Sequence, residues 1–530
     1  MTDTTAILHQ PEEGSAIETL QSLVVAFVLA MTFRGFVTEG FVIPTGSMAP
    51  TLMGQHYRMH SNQTGLNYAT DAHDNTKTGK YDPMLGRQTQ LAPADRNNPM
   101  QSMGDRILVV KCMYPFFEPK RFDVVVFKNP TNPDGADENF IKRLVGLPNE
   151  KLLLVDGDVF AGEPDADIND LVIQRKPEHV QRAVWQPIYN SDYVPIRPEE
   201  LDSKYTAPWS GVGWETQGLR SYRCEAPTED AVLEWNGKPL TTTDWTAYDM
   251  MRYRGQAIIN VSDLRVSAAI TADQVGLKST LQLTTRGHRF EFILQPTDAA
   301  RQYKAIVRMS QLDNPTSATE KVQNIKLPAP SKVFNVEFWH VDQSLSIYVD
   351  NKLVVGPLEY DWRPKYRMEN SYDDAYENIL RRLPSIPPTI PQLRWRFSGS
   401  PVTLHRVRLD RDLYYQPDKI KSSIKNSIAP EFAKLVEPRT WAYATHPDKP
   451  AIIGPDQFLM LGDNSAFSSD SRLWGAPHKL VAEHIDPSPF LVNRKLLLGK
   501  AWVVYFPAPY PLRDGGRGAV PDFGRLRFIR

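Results

Sequence analysis

"NFIKRLVGLPNEKLLLVDGDVFAGE", Asn139–Glu163, sets the character of the chain. Runs rich in Ile, Leu, Val and Phe are separated by a Gly-Leu-Pro turn, and the second run ends on Asp-Gly. Short apolar runs bounded by turn residues read as β-strands. In strand register Phe140, Lys142 and Leu144 share one face, while Ile141, Arg143 and Val145 share the other. Lys142 thus has apolar neighbours on its own face, an expensive setting for an ammonium. Lys111 and Lys128 close their runs, where a solvated ammonium is ordinary.

Upstream, "RILVVKCMY" (Arg106–Tyr114) and "FDVVVFKNP" (Phe122–Pro130) also read as strands. Residues 54–103 are dominated by Asn, Asp, Gln, Thr and Gly without period, and read as a long polar surface loop. His56 and His60 within it have no third ligand, so no metal is expected. Before this loop, "FVIPTGSMAPTL" (Phe41–Leu52) sets a Gly-Ser pair between two prolines, a stiff turn that fixes Ser47 in one pose.

This turn follows the most apolar part of the chain, "TLQSLVVAFVLAMTF" (Thr19–Phe33), with Arg34 after it. Its 15 uncharged residues fall short of the roughly 20 that cross a bilayer, but Arg34 can snorkel and "GFVTEGFVI" extends the run. Residues 16–43 read as a membrane anchor behind an N-terminal tail, 1–15. A cleaved signal peptide fits less well, because the residues before the run contain no Lys or Arg. A buried core helix is the third reading.

The remainder is ordinary for a folded protein of 530 residues. A formal net charge of -1 gives no basic field for nucleic acid. The 43 prolines suit a loop-rich β-protein. Cys112 and Cys224, far apart, are expected as free thiols. Over residues 205–415 short alternating strands recur between turns, the pattern of a β-sandwich. Within it "VEFWHVDQSLSIYVDNKLVV" (Val336–Val355) is similar to the hairpin of laminin-G/concanavalin-A-like jelly rolls, a fold that often binds glycans. Trp339 and Trp395 are expected in its core rather than as a sugar platform. A second β-region, 416–530, follows.

Four stretches taken together resemble the type I signal peptidases, the membrane-bound serine–lysine endopeptidases. They are "IPTGSMAPTL", "GDRILVVK" with "RFDVVVFKNP", "FIKRLVGLP", and "MLGDNSAFSSDSRLWG", in the family's order and after an apolar segment. The resemblance implies a mainly β chain, in which a signal-peptidase-type β-domain (44–204 and 416–530) follows one transmembrane helix and is interrupted by a jelly-roll insert (205–415). By the same resemblance Ser47 is the nucleophile and Lys142 its base. Thr45 joins the Ser47 N–H as oxyanion donor, Ser468 orients the lysine, and Gly462 lines the site. Asp470, Arg472 and Arg143 give structural support. A free lysine has a pKa of about 10.4; burial lowers it by up to about 3–5 units, into the range of a general base. Ile43 and Val145 are the candidates for shallow pockets accepting small side chains.

The function implied is release of signal peptides from exported preproteins, at the exocytoplasmic face of the plasma or inner membrane, without metal or cofactor. The partners implied are preproteins and lipid, with a glycan or client protein at the insert. An anchored glycan- or protein-binding protein with a relict peptidase domain is the alternative. Two departures stand out: Ser465-Ala466-Phe467 replace the familiar Arg-Asp-Asn after "GDN", and Asn149 replaces a glycine in "GLPNE". Neither His446 nor His478 has a pattern linking it to Ser47.

Overall fold

The computed structural model describes residues 16–72, 82–86, 100–134, 139–201, 205–218, 220–225, 231–237, 240–249, 258–299, 301–420, 430–511, 519–520 and 522–530. It is mainly β. An apolar helix, Ala16–Thr32, continues through a wider turn at Phe33–Val37. Together they form a 22-residue rod, long and apolar enough to cross a membrane, with none of its side chains buried in protein. The rod runs directly into the strand Thr38–Val42.

That strand is the edge of an antiparallel eight-stranded sheet. Its order is Thr38–Val42, Arg106–Val110, Leu497–Phe506, Val124–Lys128, Asn139–Gly146, Gln457–Leu461 and Val492–Asn493, with Arg527–Phe528 added on Leu497–Phe506. The runs read as strands around Lys142 are therefore sheet neighbours, and Lys142 faces Val125 across the ladder. Along Asn139–Gly146 the last six residues are all buried, so the face carrying Arg143 is as dry as the face carrying Lys142. Next to this sheet lies a four-stranded one, Val172–Ile173, Asp158–Gly162, Glu150–Val155 and Ala451–Ile453. The turn into it places Asn149 at φ 59°, a left-handed conformation that Asn tolerates.

Between the two halves stands a β-sandwich of an eight-stranded and a seven-stranded antiparallel sheet. Its strands alternate buried and exposed, and their buried residues form one apolar core. The hairpin quoted above is built on two tight turns, with Asp342 and Gln343, then Asp350 and Asn351, at positive φ. These paired left-handed residues match the twist of the flanking strands. The sandwich also takes in the strand Gln186–Asn190, which pairs with Val402–Arg411 ahead of residue 205. Trp339 and Trp395 are both buried.

The segment 54–103 departs from the loop expected. Its described residues hold a three-stranded antiparallel sheet, His56–His60 between Asn67–Asp71 and Met100–Ser102. These strands are short and their polar side chains find partners: buried Asp82 accepts from Thr64 and from the Met84 N–H. Hydrogen bonding replaces the apolar alternation that sequence reading relies on. His56 and His60 lie on a strand, each bonded within its own loop, to Gly54 and to Asn67.

The seam between sandwich and four-stranded sheet is ionic. Asp156 and Asp158 of the hairpin turn meet Arg286 and Arg367 of the insert, at 2.9 Å and 2.7 Å for Arg286–Asp156 and Arg367–Asp158. Lys176 lies 2.8 Å from Asp412, and Arg286 lies 2.6 Å from Asp263. Four carboxylates, Asp158, Asp263, Asp342 and Asp412, converge here. Burial pushes Asp412 up to about 6.

Trp395 joins the two sheets of the sandwich: its ring packs edge-on against Phe338, and its N–H donates to Ser279 Oγ at 2.8 Å. Trp395→Ala is expected to destabilise the chain by about 3–5 kcal/mol, read as a lowered midpoint in urea denaturation.

Candidate active site

The site begins where the apolar rod ends. Ser47 sits in a single helical turn, Gly46–Met48, entered from an extended Thr45. Asp105 staples the two ends of this turn. Its backbone carbonyl accepts from the Ile43 N–H at 2.9 Å, and its carboxylate accepts from the Met53 N–H at 2.9 Å. Met48 and Leu52 point into the core beside Ile107, Val109, Val124 and Val126. The serine is thus carried on a turn clamped below by packing and at both ends by hydrogen bonds.

Lys142 approaches from the neighbouring strand. Its Nζ lies 2.6 Å from Ser47 Oγ and donates to it, while its side chain is only 4 % exposed. Burial is the main cause that lowers its pKa, to about 8; Asp470 and Asp463 work against the lowering and Arg472 adds to it. Arg143, beside it in sequence, is fully buried and holds Asp463 through two bonds of 2.8 and 2.6 Å.

The last box closes the site from the third side. Gly462 donates its N–H to Asp470 Oδ2 at 3.1 Å, and Arg472 grips the same carboxylate at 2.9 and 2.8 Å. A side chain at Gly462 would lie 2.1 Å from Ser468 Oγ and 2.5 Å from the Ser47 carbonyl, so only glycine lets these two meet. Ser468 is buried, and its hydroxyl has no hydrogen-bond partner among the described residues. The bond from Ser468 to Lys142 implied by the resemblance is not made. Thr45 is exposed next to Ser47. Ser465 supplies what the unfamiliar tripeptide left open: its hydroxyl accepts from Arg472 at 2.7 Å and from the Gln416 N–H at 2.8 Å.

Ile43 and Val145 do not share a pocket. Ile43 packs with Met48 and Leu52, whereas Val145, on the Arg143 face of its strand, belongs to the core around Leu152 and Leu459. His446 stacks on Trp441 and His478 caps the helix Lys479–His484. Cys112 and Cys224 are free thiols.

Sequence reading missed Asn464 and its partner. The Asn464 N–H donates to the Ser47 carbonyl at 3.1 Å, and its side-chain amide donates to the Gly46 carbonyl at 3.1 Å and to Asp249 Oδ1 at 3.0 Å. Asp249 belongs to the interrupting region, in the turn Ala247–Asp249. Its neighbour Tyr248 packs on Gly46, where a side chain would come 2.3 Å from the ring. Asn464 lies inside the quoted "GDN", a signal that could have been followed; nothing in the sequence points to Asp249.

Against this geometry, the family described as signal peptidase, peptidase S26, matches residues 16–75 and 88–184. This part of the chain is similar to type I signal peptidases. It is 26% identical over 164 residues to a probable signal peptidase I-2 of Synechocystis, covering 30% of this chain and 52% of that protein. It is 28% identical over 178 residues to a signal peptidase I of Leptolyngbya laminosa, covering 32% and 61%. With the Rickettsia prowazekii enzyme the identity is 29% over 152 residues, covering 28% and 43%. The chain therefore spans about half the length of these relatives. Among solved structures, the carbohydrate binding module CBM66 from Bacillus subtilis aligns with 38% of this chain and 96% of its own at 12% identity, TM-score 0.22. The galectin LEC-6 of Caenorhabditis elegans aligns with 28% and 83% at 11% identity, TM-score 0.18.

The buried amine has a consequence for stability. Unfolded, Lys142 titrates at its ordinary 10.5; folded, at about 8. The unfolded chain binds more protons between these values, so stability rises with pH across that window and is reduced below it. The reduction is on the order of 3 kcal/mol. Lys142→Met is expected to be more stable than the parent at pH 7 and to lose that advantage above pH 10.5, read by urea denaturation at several pH values.

Proposed function

We propose that the chain is a membrane-anchored serine endopeptidase that removes signal peptides from exported preproteins with Ser47 and Lys142. The contact between Lys142 Nζ and Ser47 Oγ, made by a dry lysine whose pKa is lowered to about 8, carries this reading. The neutral amine accepts the Ser47 proton while Oγ attacks the scissile carbonyl. The oxyanion is received by the Ser47 N–H and the Thr45 hydroxyl, an arrangement in which one donor is commonly worth about 10²–10³ in rate. As the intermediate collapses, Lys142 returns the proton to the leaving amine, and the signal peptide stays as an ester on Ser47. Water then attacks the ester, with Lys142 again taking the proton and passing it back to Ser47. Ser468 supports the lysine while it is charged. The rod Ala16–Val37 is proposed as the anchor, with the β-domains on the exocytoplasmic face, where preproteins emerge from the bilayer.

Processing of a model preprotein in detergent tests the reading. Ser47→Ala and Lys142→Ala are each expected to abolish cleavage, and a Lys142→Ala chain that still cleaves would remove lysine from the mechanism. The parent's kcat/KM is expected to fall as pH drops through about 8, because only the unprotonated amine accepts the proton. Asn464→Ala, which removes the side-chain bonds to the Gly46 carbonyl and to Asp249 Oδ1, is expected to lower kcat by about tenfold with little change in KM.

A further inference from the structure

A cavity of about 810 Å³ opens beside the serine turn, between the segment that follows Ser47 and the interrupting region. This volume is in the range of ligand pockets. Met53, Tyr68 and Met84 form one wall and Ile188, Leu240 and Trp245 the other. Tyr248, which covers Gly46, also lines it, so the cavity ends one residue from the nucleophile. Asn67, Thr243 and Asn260 stand among these apolar side chains, so the wall carries amide and hydroxyl groups as well. A wall of large apolar side chains interleaved with amides and hydroxyls suits an extended peptide, whose side chains are apolar and whose backbone needs hydrogen-bond partners.

We propose that this cavity binds the mature-side segment of the preprotein, just beyond the scissile bond, and selects clients with apolar residues there. The inference rests on the peptidase reading above. The side follows from the chain's order. The signal peptide shares the bilayer with the rod Ala16–Val37, which leads to Ser47 through Thr38–Val42. The cavity is lined by Pro50 and Met53, which follow the serine, and by nothing from Thr38–Thr45 or from the lysine strand Asn139–Gly146. The interrupting region supplies about half the wall, so client selectivity here depends on that region.

The test uses the full-length Ser47→Ala chain in detergent, titrated calorimetrically with a synthetic decapeptide bearing leucine at alternate positions. Binding is expected, weakened at least tenfold when serine replaces the leucines. Trp245→Ala is expected to weaken it equally, as is Thr241→Trp, which fills the mouth from an exposed position and spares the core. Absence of binding, indifference to both substitutions, or displacement of the peptide by cellohexaose would each overturn the proposal. In the Ser47 chain, two preproteins differing only in those mature-side residues are expected to differ about tenfold in kcat/KM, a difference that Trp245→Ala erases. If neither preprotein is cleaved, the peptidase reading fails by itself, and the titration alone then upholds or overturns the cavity's role.

Discussion

The site is organised by the need to keep an amine dry beside a serine hydroxyl. Lowering Lys142 to about 8 consumes about 3 kcal/mol at neutral pH, a sizeable part of the 5–15 kcal/mol that holds a typical domain together. Two buried carboxylates stand close enough to undo it. Asp463 and Asp470 both draw the Lys142 proton back. Each is already engaged by an arginine through two bonds, Asp463 by Arg143 and Asp470 by Arg472. The positive charge of each guanidinium, beside the carboxylate, offsets part of that carboxylate's pull on the lysine. Arg472 also lowers the Lys142 pKa directly through its own charge, while Arg143 acts through the acid it holds. Arg143 also joins the loop Gly462–Asn464 to the lysine strand through Asp463.

The sandwich enters this arrangement as a participant. It folds around its own apolar core, and its joint to the neighbouring sheet is ionic, with Arg286 and Arg367 gripping Asp156 and Asp158. An apolar joint tolerates sliding, whereas buried ion pairs are satisfied in one geometry and cost about 3–5 kcal/mol when a partner is removed. A fixed joint lets a distant turn, Ala247–Asp249, bring a carboxylate within 3.0 Å of Asn464 and a phenol ring onto Gly46. The serine turn is thereby bounded by the sheet below and by the sandwich above.

Much of this was legible. Strands, their boundaries near Lys142 and the apolar rod followed from runs of β-branched residues and from an uncharged stretch, because apolar burial leaves a periodic trace. The segment 54–103 was misread because its sheet is held by polar side chains such as Asp82 and Thr64, which leave none. Ser47 and Lys142 were found through family resemblance and the cost of a lysine among apolar neighbours. Asn464 stands beside Asp463 in a loop box, with no chemistry of its own that points to Ser47. Asp249 was out of reach, since its role depends on a seam built from residues between 156 and 412 whose pairing no local pattern records. Ile43 and Val145 lie in separate apolar clusters, Ile43 with Ile141, Met48 and Leu52, and Val145 farther along the strand with Leu152 and Leu459.

Ser468 shows how the proposed cycle fits a feature that looks like a defect. A buried hydroxyl left unpaired costs about 1–3 kcal/mol, and here Gly462 makes room for it against the Ser47 carbonyl. While its amine is neutral, Lys142 needs a single partner, Ser47. Once it has taken the serine proton it is an ammonium with three donors in a dry site, and every acceptor within reach becomes worth more. An acceptor idle in the ground state and engaged in the charged one binds the two states unequally, which is the condition for accelerating a reaction rather than merely holding its substrate. In the proposed cycle, the cost of leaving the Ser468 hydroxyl unpaired beside the neutral amine is offset in the step where the lysine is charged.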